Sequence, residues 1–203
     1  MVRGIQMSGQ INRGSELGEI IYDYAKNKKY KSFLEIGTWN GEGSTRCFID
    51  GLLTRNDEYS FISLETSKDF FDAATAFNKK ILNPKINIVY GRIIENEDLI
   101  KDSPIDRHKQ FLKEDRFDYS ICPNVWENIQ RQFDVVLLDG GEFSTFAEYK
   151  KLEPFTKIFL LDDSKMLKNN LVVKSLNENN NWKQIKNSNA RNGFAIYEKL
   201  STD

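Results

Sequence analysis

Phe33-Leu34-Glu35-Ile36-Gly37-Thr38-Trp39-Asn40-Gly41-Glu42-Gly43-Ser44-Thr45 is a short apolar strand that ends in an acid and opens through glycines into a helix. Glycines at the carboxyl end of a parallel strand let the backbone come close to a ligand, and the following helix presents free N–H groups there. The stretch predicts a nucleotide-binding loop. Its spacing discriminates among ligands: a dinucleotide fingerprint runs G-x-G-x-x-G, whereas Gly37, Gly41 and Gly43 run G-x-x-x-G-x-G. NAD is therefore disfavoured. A glycine-rich turn that merely reverses the chain is the competing reading of the same residues.

Apolar runs with strand character recur outward from this loop at Ser32 to Ile36, Tyr59 to Leu64, Ile86 to Tyr90, Phe133 to Leu138 and Lys157 to Leu161. Helical patterns separate them, at Gly43 to Thr54, Ser67 to Leu82 and Phe143 to Leu152. Ahead of the first strand, Ser15 can cap a helix whose Leu17, Ile20, Ile21 and Tyr24 share one face. Two last strands, Trp182 to Ser188 and Gly193 to Glu198, flank an Asn192-Gly193 turn suited to an antiparallel hairpin. Alternating strands and helices require a parallel sheet. The expected fold class is α/β, a Rossmann-like seven-stranded sheet, mostly parallel with an antiparallel C-terminal hairpin and helices on both faces.

At 203 residues the chain suits one domain, 1–203, with a full α/β core. Twenty-nine basic residues against 30 acidic ones leave no electrostatic footprint for nucleic acid. Cys47 and Cys122, with no C-x-x-C, give neither a disulfide framework nor a zinc site, and read as small core residues in a reducing compartment. No apolar run reaches the ~20 residues of a membrane span, and Met1 to Gly14 lacks a signal-peptide core. A cytoplasmic location is expected. The stretch from Arg92 to Gln132 is longer than an ordinary connection and predicts a helical insertion over 92–132, with helices around Ile105 to Lys113 and Val125 to Arg131. It reads equally as a substrate lid or as a peripheral cover. His108, the single histidine, lies there among charges and is given no role.

In an open α/β sheet the ligand lies beyond the carboxyl ends of the strands, so acids ending strands are the first candidates. Glu65 ends the second strand where a carboxylate accepts ribose hydroxyls. Gly91, followed by Arg92, ends the third. Asp139 ends the fourth, in Asp139-Gly140-Gly141-Glu142, and Asp162-Asp163 ends the fifth. Adjacent parallel strands lie ~4.8 Å apart, so Asp139, Asp162 and Asp163 can converge on one cation. Oxygen-only ligands of this kind suit Mg²⁺. The competing structural reading makes Asp139-Gly-Gly a turn and Asp163 the cap of a helix beginning near Leu167. Trp39 sits inside the loop, where an indole is hard to bury and can cover a cofactor or an acceptor ring. Asn189 to Gly193 in the last hairpin can reach the rim of the site, with a polar turn as its default reading.

On Glu35, Gly37 and Gly41 the chain resembles the class I S-adenosylmethionine (SAM)-dependent methyltransferases, whose first motif is an apolar strand, an acid, one residue and glycines. Asp139-Gly140-Gly141 and Leu161-Asp162-Asp163 sharpen this to a resemblance to metal-dependent O-methyltransferases acting on small molecules and sugars. It covers Phe33 to Lys199 in order. The resemblance implies SAM bound by Glu35, Gly37, Thr38, Trp39, Gly41, Gly43, Ser44, Glu65, Gly91 and Asp139. It implies Mg²⁺ on Asp139, Asp162 and Asp163, with Asp139 catalytic, and a small-molecule or glycan hydroxyl as acceptor. The family often has a glycine where Trp39 stands, and a His or Lys as general base where this chain has Glu142. Glu142 is thus the candidate base here. Related enzymes often place an acid, not Arg92, beside the adenine. Such enzymes are often homodimers, although no apolar stripe makes that case in this chain. The alternatives are a nicotinamide-dependent oxidoreductase and a non-catalytic SAM-fold binding protein.

Overall fold

A computed structural model describes residues 11–101 and 108–200. Its elements run α1 (Glu16–Lys26), β1 (Ser32–Ile36), α2 (Ser44–Leu52), β2 (Ser60–Glu65), α3 (Lys68–Asn78), β3 (Ile86–Tyr90), α4 (His108–Ile121), α5 (Trp126–Ile129), β4 (Phe133–Leu138), α6 (Thr145–Leu152), β5 (Thr156–Asp162), α7 (Leu167–Glu178), β6 (Trp182–Ser188) and β7 (Phe194–Lys199). The strands form one sheet in the order β3-β2-β1-β4-β5-β7-β6, with only β7 antiparallel to β5 and β6. This is the expected seven-stranded Rossmann-like sheet with its reversed terminal hairpin.

Alternation explains the two-sided burial. Phe33, Val135, Leu137, Ile158 and Leu160 point to one face, where Leu17 and Ile21 of α1 and Phe48 and Ile49 of α2 cover them. Leu34, Ile36, Val136, Leu138, Phe159 and Leu161 point to the other, under Tyr149 of α6, Val172 of α7 and Trp126 of α5. Strands apolar on both faces are what a parallel sheet sandwiched by helices demands. Ser15 caps α1 by accepting the Gly18 N–H at 3.2 Å.

Register places the site. Ile36 pairs with Leu64 and Leu138, and Leu138 pairs with Leu161, so the carboxyl ends of β1, β2, β4 and β5 open on one edge. Helix α3 is shorter than its pattern predicts. It stops at Asn78, whose side-chain amide donates to the carbonyls of Ala74 and Gly41. Of the two insertion helices, the expected Ile105 to Lys113 begins outside the described residues, and α4 extends eight residues beyond its predicted end. Cys47 and Cys122 are both free and buried. Among the described residues no helix is long and apolar enough to cross a membrane.

Candidate active site

The glycine loop is fastened at both ends. Gly37 and Thr38 donate their N–H groups to the carbonyl of Leu64, at 3.0 and 3.2 Å. Gly37 adopts φ +95°, and a Cβ there would lie 2.4 Å from the carbonyl oxygen of Asp139, so no other residue fits between β1 and β4. Trp39 adopts φ +51°, a left-handed conformation that costs a bulky residue about 1–2 kcal/mol and explains why related loops favour glycine at that place. Its indole leans on Phe70 with ring centroids 6.1 Å apart.

Glu65 is the hinge of this arrangement. Its Oε2 accepts the Trp39 N–H at 2.7 Å and its Oε1 accepts the Ser67 N–H at 2.9 Å. Burial pushes its carboxyl up to about 7, against the pull of those two amides. Glu35 does a different job. It lies beneath the loop, where Oε2 accepts the hydroxyls of Thr45 and Ser63. Burial raises it to about 7 as well, while its Oε1 has no hydrogen-bond partner.

A cavity of about 680 Å³ opens at the strand ends, within the range of ~300–1,000 Å³ usual for small-molecule sites. Gly37, Thr38, Trp39, Gly43, Ser44, Glu65, Gly91, Asp139, Asp162 and Asp163 all line it. Three residues expected at the site do not. Glu35 supports the loop from below, Gly41 packs against Asn78 and Ala74, and Glu142 directs Oε2 to the Lys168 N–H at 3.0 Å, where it caps α7. Asp163 turns into the cavity with φ +50°, and the competing reading of it as the cap of α7 does not hold, since Met166 is the N-cap.

The cavity also takes in residues the sequence did not single out. Asp115, Asp118 and Tyr119 of α4 line it, together with Glu148 of α6. Tyr119 donates its hydroxyl to Glu148, and burial pushes Asp115 and Glu148 each up to about 7. The insertion is therefore a wall of the cavity. Arg92 explains its departure from the related pattern: its guanidinium donates to the carbonyls of Cys122 and Ile94, and its backbone pairs with Pro123 and Val125. It closes the base of the insertion, and Gly91 packs tightly beside it, where a Cβ would lie 2.6 Å from Val125 Cγ1 and displace that side chain.

Asp139, Asp162 and Asp163 bring carboxylate oxygens within 4.8 Å of one another. Taken alone, they have the oxygen chemistry of a Mg²⁺ site. Lys168, however, reaches the same place from the first turn of α7: its Nζ lies 2.7 Å from Asp139 Oδ1 and 3.1 Å from Asp163 Oδ2, with the side chain 8% exposed. Arg191 adds its guanidinium 3.6 Å from Asp162 and 3.9 Å from Asp163. Burial raises Asp139 and lifts Asp162 to about 7, with Lys168 opposing both shifts. At Asp163 the lysine and Asn192 outweigh burial and hold the carboxyl below its usual range. Unit charges ~4 Å apart interact by about 4 kcal/mol at an effective dielectric of ~20, so the ammonium offsets a large part of the attraction the aspartates would exert on a divalent ion, and it stands where that ion would have to lie. With Lys168 in place the donor set does not fit Mg²⁺.

No family model and no curated protein matches the chain. Solved structures do. An O-methyltransferase from Bacillus cereus in complex with SAH superposes with a TM-score of 0.63 at 12% identity, covering 96% of this chain and 84% of that one. The SAH-bound methyltransferase PaMTH1 of Podospora anserina gives 0.63 at 14%, covering 91% and 78%. The O-methyltransferase TomG of Streptomyces achromogenes, involved in tomaymycin synthesis and complexed with SAM, gives 0.60 at 12%, covering 91% and 80%. At these identities the likeness is one of fold, and the chain has the class I methyltransferase fold over nearly its whole length.

Proposed function

We propose that this protein is a SAM-dependent methyltransferase that moves a methyl group to a hydroxyl of a small molecule or sugar. The observation that carries the reading is Glu65, held by the Trp39 and Ser67 amides at the rim of the same cavity that the glycine loop and the strand-end aspartates line. A carboxylate fixed there accepts both hydroxyls of a ribose, while the loop backbone and Ser44 face the amino-acid end of the cofactor. Neighbours of the same fold that hold SAM or SAH support placing this cofactor in the cavity.

SAM supplies an electrophilic methyl on a sulfonium; the chain's own contribution is positioning and proton removal. In-line attack needs the acceptor oxygen on the far side of the methyl, and a walled cavity provides that orientation. Asp139 and Asp163 are held by Lys168, which leaves Asp162, with the more distant Arg191, as the carboxylate to take the hydroxyl proton. Helix α4 serves as the acceptor-side wall. No step runs through Mg²⁺.

The test is incubation with SAM carrying a labelled methyl group and a panel of phenolic, catecholic and sugar acceptors. Label recovered in an ether, and reduced in Glu65→Ala at SAM concentrations below saturation, supports the reading. Label on nitrogen, or bound SAM with no transfer to any hydroxyl, removes it.

A further inference from the structure

We infer that the Lys168 ammonium is the resident cation of the aspartate cluster, occupying the place a divalent metal would take, and that the site works without one. The inference deepens the methyltransferase reading and rests on it only for what the site does.

Geometry carries the argument. The ammonium donates to Asp139 Oδ1 at 2.7 Å and lies 3.1 Å from Asp163 Oδ2, carboxylates from different strand ends. A lysine on a surface helix could swing away from such a pair, but this one is tied down on both sides. Its own N–H is held by Glu142, and the next residue, fully buried Asn169, donates its side-chain amide to the carbonyls of Leu138 and Asp162 at 3.1 and 2.5 Å. Those carbonyls belong to the last residues of β4 and β5. The first turn of α7 is thus pinned between the two strands that present the aspartates.

The far side of the cluster is fixed as well. Ser164 and Lys165 donate their N–H groups to the carbonyls of Gly193 and Asn192, and Asn192 donates its side-chain amide to Asp163 at 3.0 Å. Arg191, at φ +55°, is delivered to Asp162 and Asp163 by this contact between the hairpin tip and the β5–α7 turn. Three carboxylates therefore face two built-in cations, and one negative charge is left where a bare cluster would have three. Mg²⁺ binds sites through carboxylate charge and open oxygen positions. Here most of the charge is already neutralised, and an ammonium stands among the oxygens.

A consequence for the acceptor follows. A metal site selects acceptors that offer two neighbouring oxygens to chelate, whereas a lysine-held site has no such requirement, so a compound with one isolated hydroxyl is a competent acceptor.

The experiment uses full-length protein and Mn²⁺ as the probe, read by calorimetry and by the electron paramagnetic resonance of the free ion, with SAH titrated in parallel. Wild type is expected to show no saturable Mn²⁺ binding and an SAH affinity unchanged by EDTA or Mg²⁺. Lys168→Gln, which keeps hydrogen-bond donors but removes the charge, is expected to acquire the saturable Mn²⁺ binding that wild type lacks. Lys168→Arg is expected to stay silent. Saturable Mn²⁺ binding by wild type that is lost in Asp139→Asn overturns the inference, and so does a folded Lys168→Gln that binds no Mn²⁺. Should Lys168→Gln not fold, the wild-type and Lys168→Arg measurements decide. Failure of SAH to bind strikes the methyltransferase reading instead, and leaves the Mn²⁺ result standing.

Discussion

Oε2 of Glu65 accepts the backbone N–H of Trp39 at 2.7 Å, which couples the end of β2 to the glycine loop after β1. The contact is made possible by the left-handed backbone of Trp39, and it sets both the loop's shape and the carboxylate's orientation.

Trp39→Gly is expected to be more stable than Trp39→Ala. Both lose the indole packed on Phe70, but only glycine relieves a left-handed conformation worth about 1 kcal/mol. Urea unfolding of the two variants measures the difference, and an alanine variant as stable as the glycine one refutes the strain.

Glu35 makes stability depend on pH. Burial raises its folded-state value from 4.5 to about 7, so the folded protein holds a proton that the unfolded chain has released. That contribution is fully present below the unfolded value and is lost as pH rises through about 7. Glu35→Gln keeps the contact shape without the titration. Between about pH 5 and about pH 8 it is expected to lose up to about 3 kcal/mol less stability than wild type, as read by denaturant unfolding at each pH.

Glu142 occupies the sequence position of a general base, yet its carboxylate caps α7 through Lys168 N–H. Glu142→Ala is expected to cost about 1 kcal/mol of stability and leave SAH affinity intact. Turnover should fall less than the ~10²–10⁴-fold seen when a general base is removed. A loss in that larger range with unchanged stability gives Glu142 the catalytic role after all.

Gly37→Ala sets a side chain 2.4 Å from the Asp139 carbonyl on a backbone at φ +95°. The strands must part or the loop must move, at a cost of about 1–3 kcal/mol or more. Thermal unfolding and SAH affinity are expected to fall together, whereas a change in only one separates the loop from the sheet.

The sheet was legible because its strands are apolar on both faces, so Phe33 to Ile36, Phe133 to Leu138 and Phe159 to Leu161 stand out whatever surrounds them. Glu65 and the strand-end aspartates were legible for a related reason: topology alone sends strand ends to the ligand edge. Lys168 was not. One lysine in the first turn of a polar helix reads as a solvated charge, and only the Asn169 bonds to Leu138 and Asp162 fix the rotation that turns it inward. Helix α4 hid its role similarly. Its buried Leu112 and Tyr119 and its exposed Phe111 and Phe117 do not sort into one clear face, so the pattern could not tell which side carries Asp115 and Asp118 into the cavity.

The most direct measurement is a calorimetric titration of wild type and Glu65→Ala with SAH, with NAD as the control ligand. Wild type is expected to bind SAH saturably and NAD not at all. In Glu65→Ala the affinity should fall roughly 30-fold, the loss of about 2 kcal/mol expected when hydrogen bonds to a charged group are removed. NAD binding in preference to SAH, or SAH binding indifferent to Glu65, would contradict the assignment of SAM to this cavity.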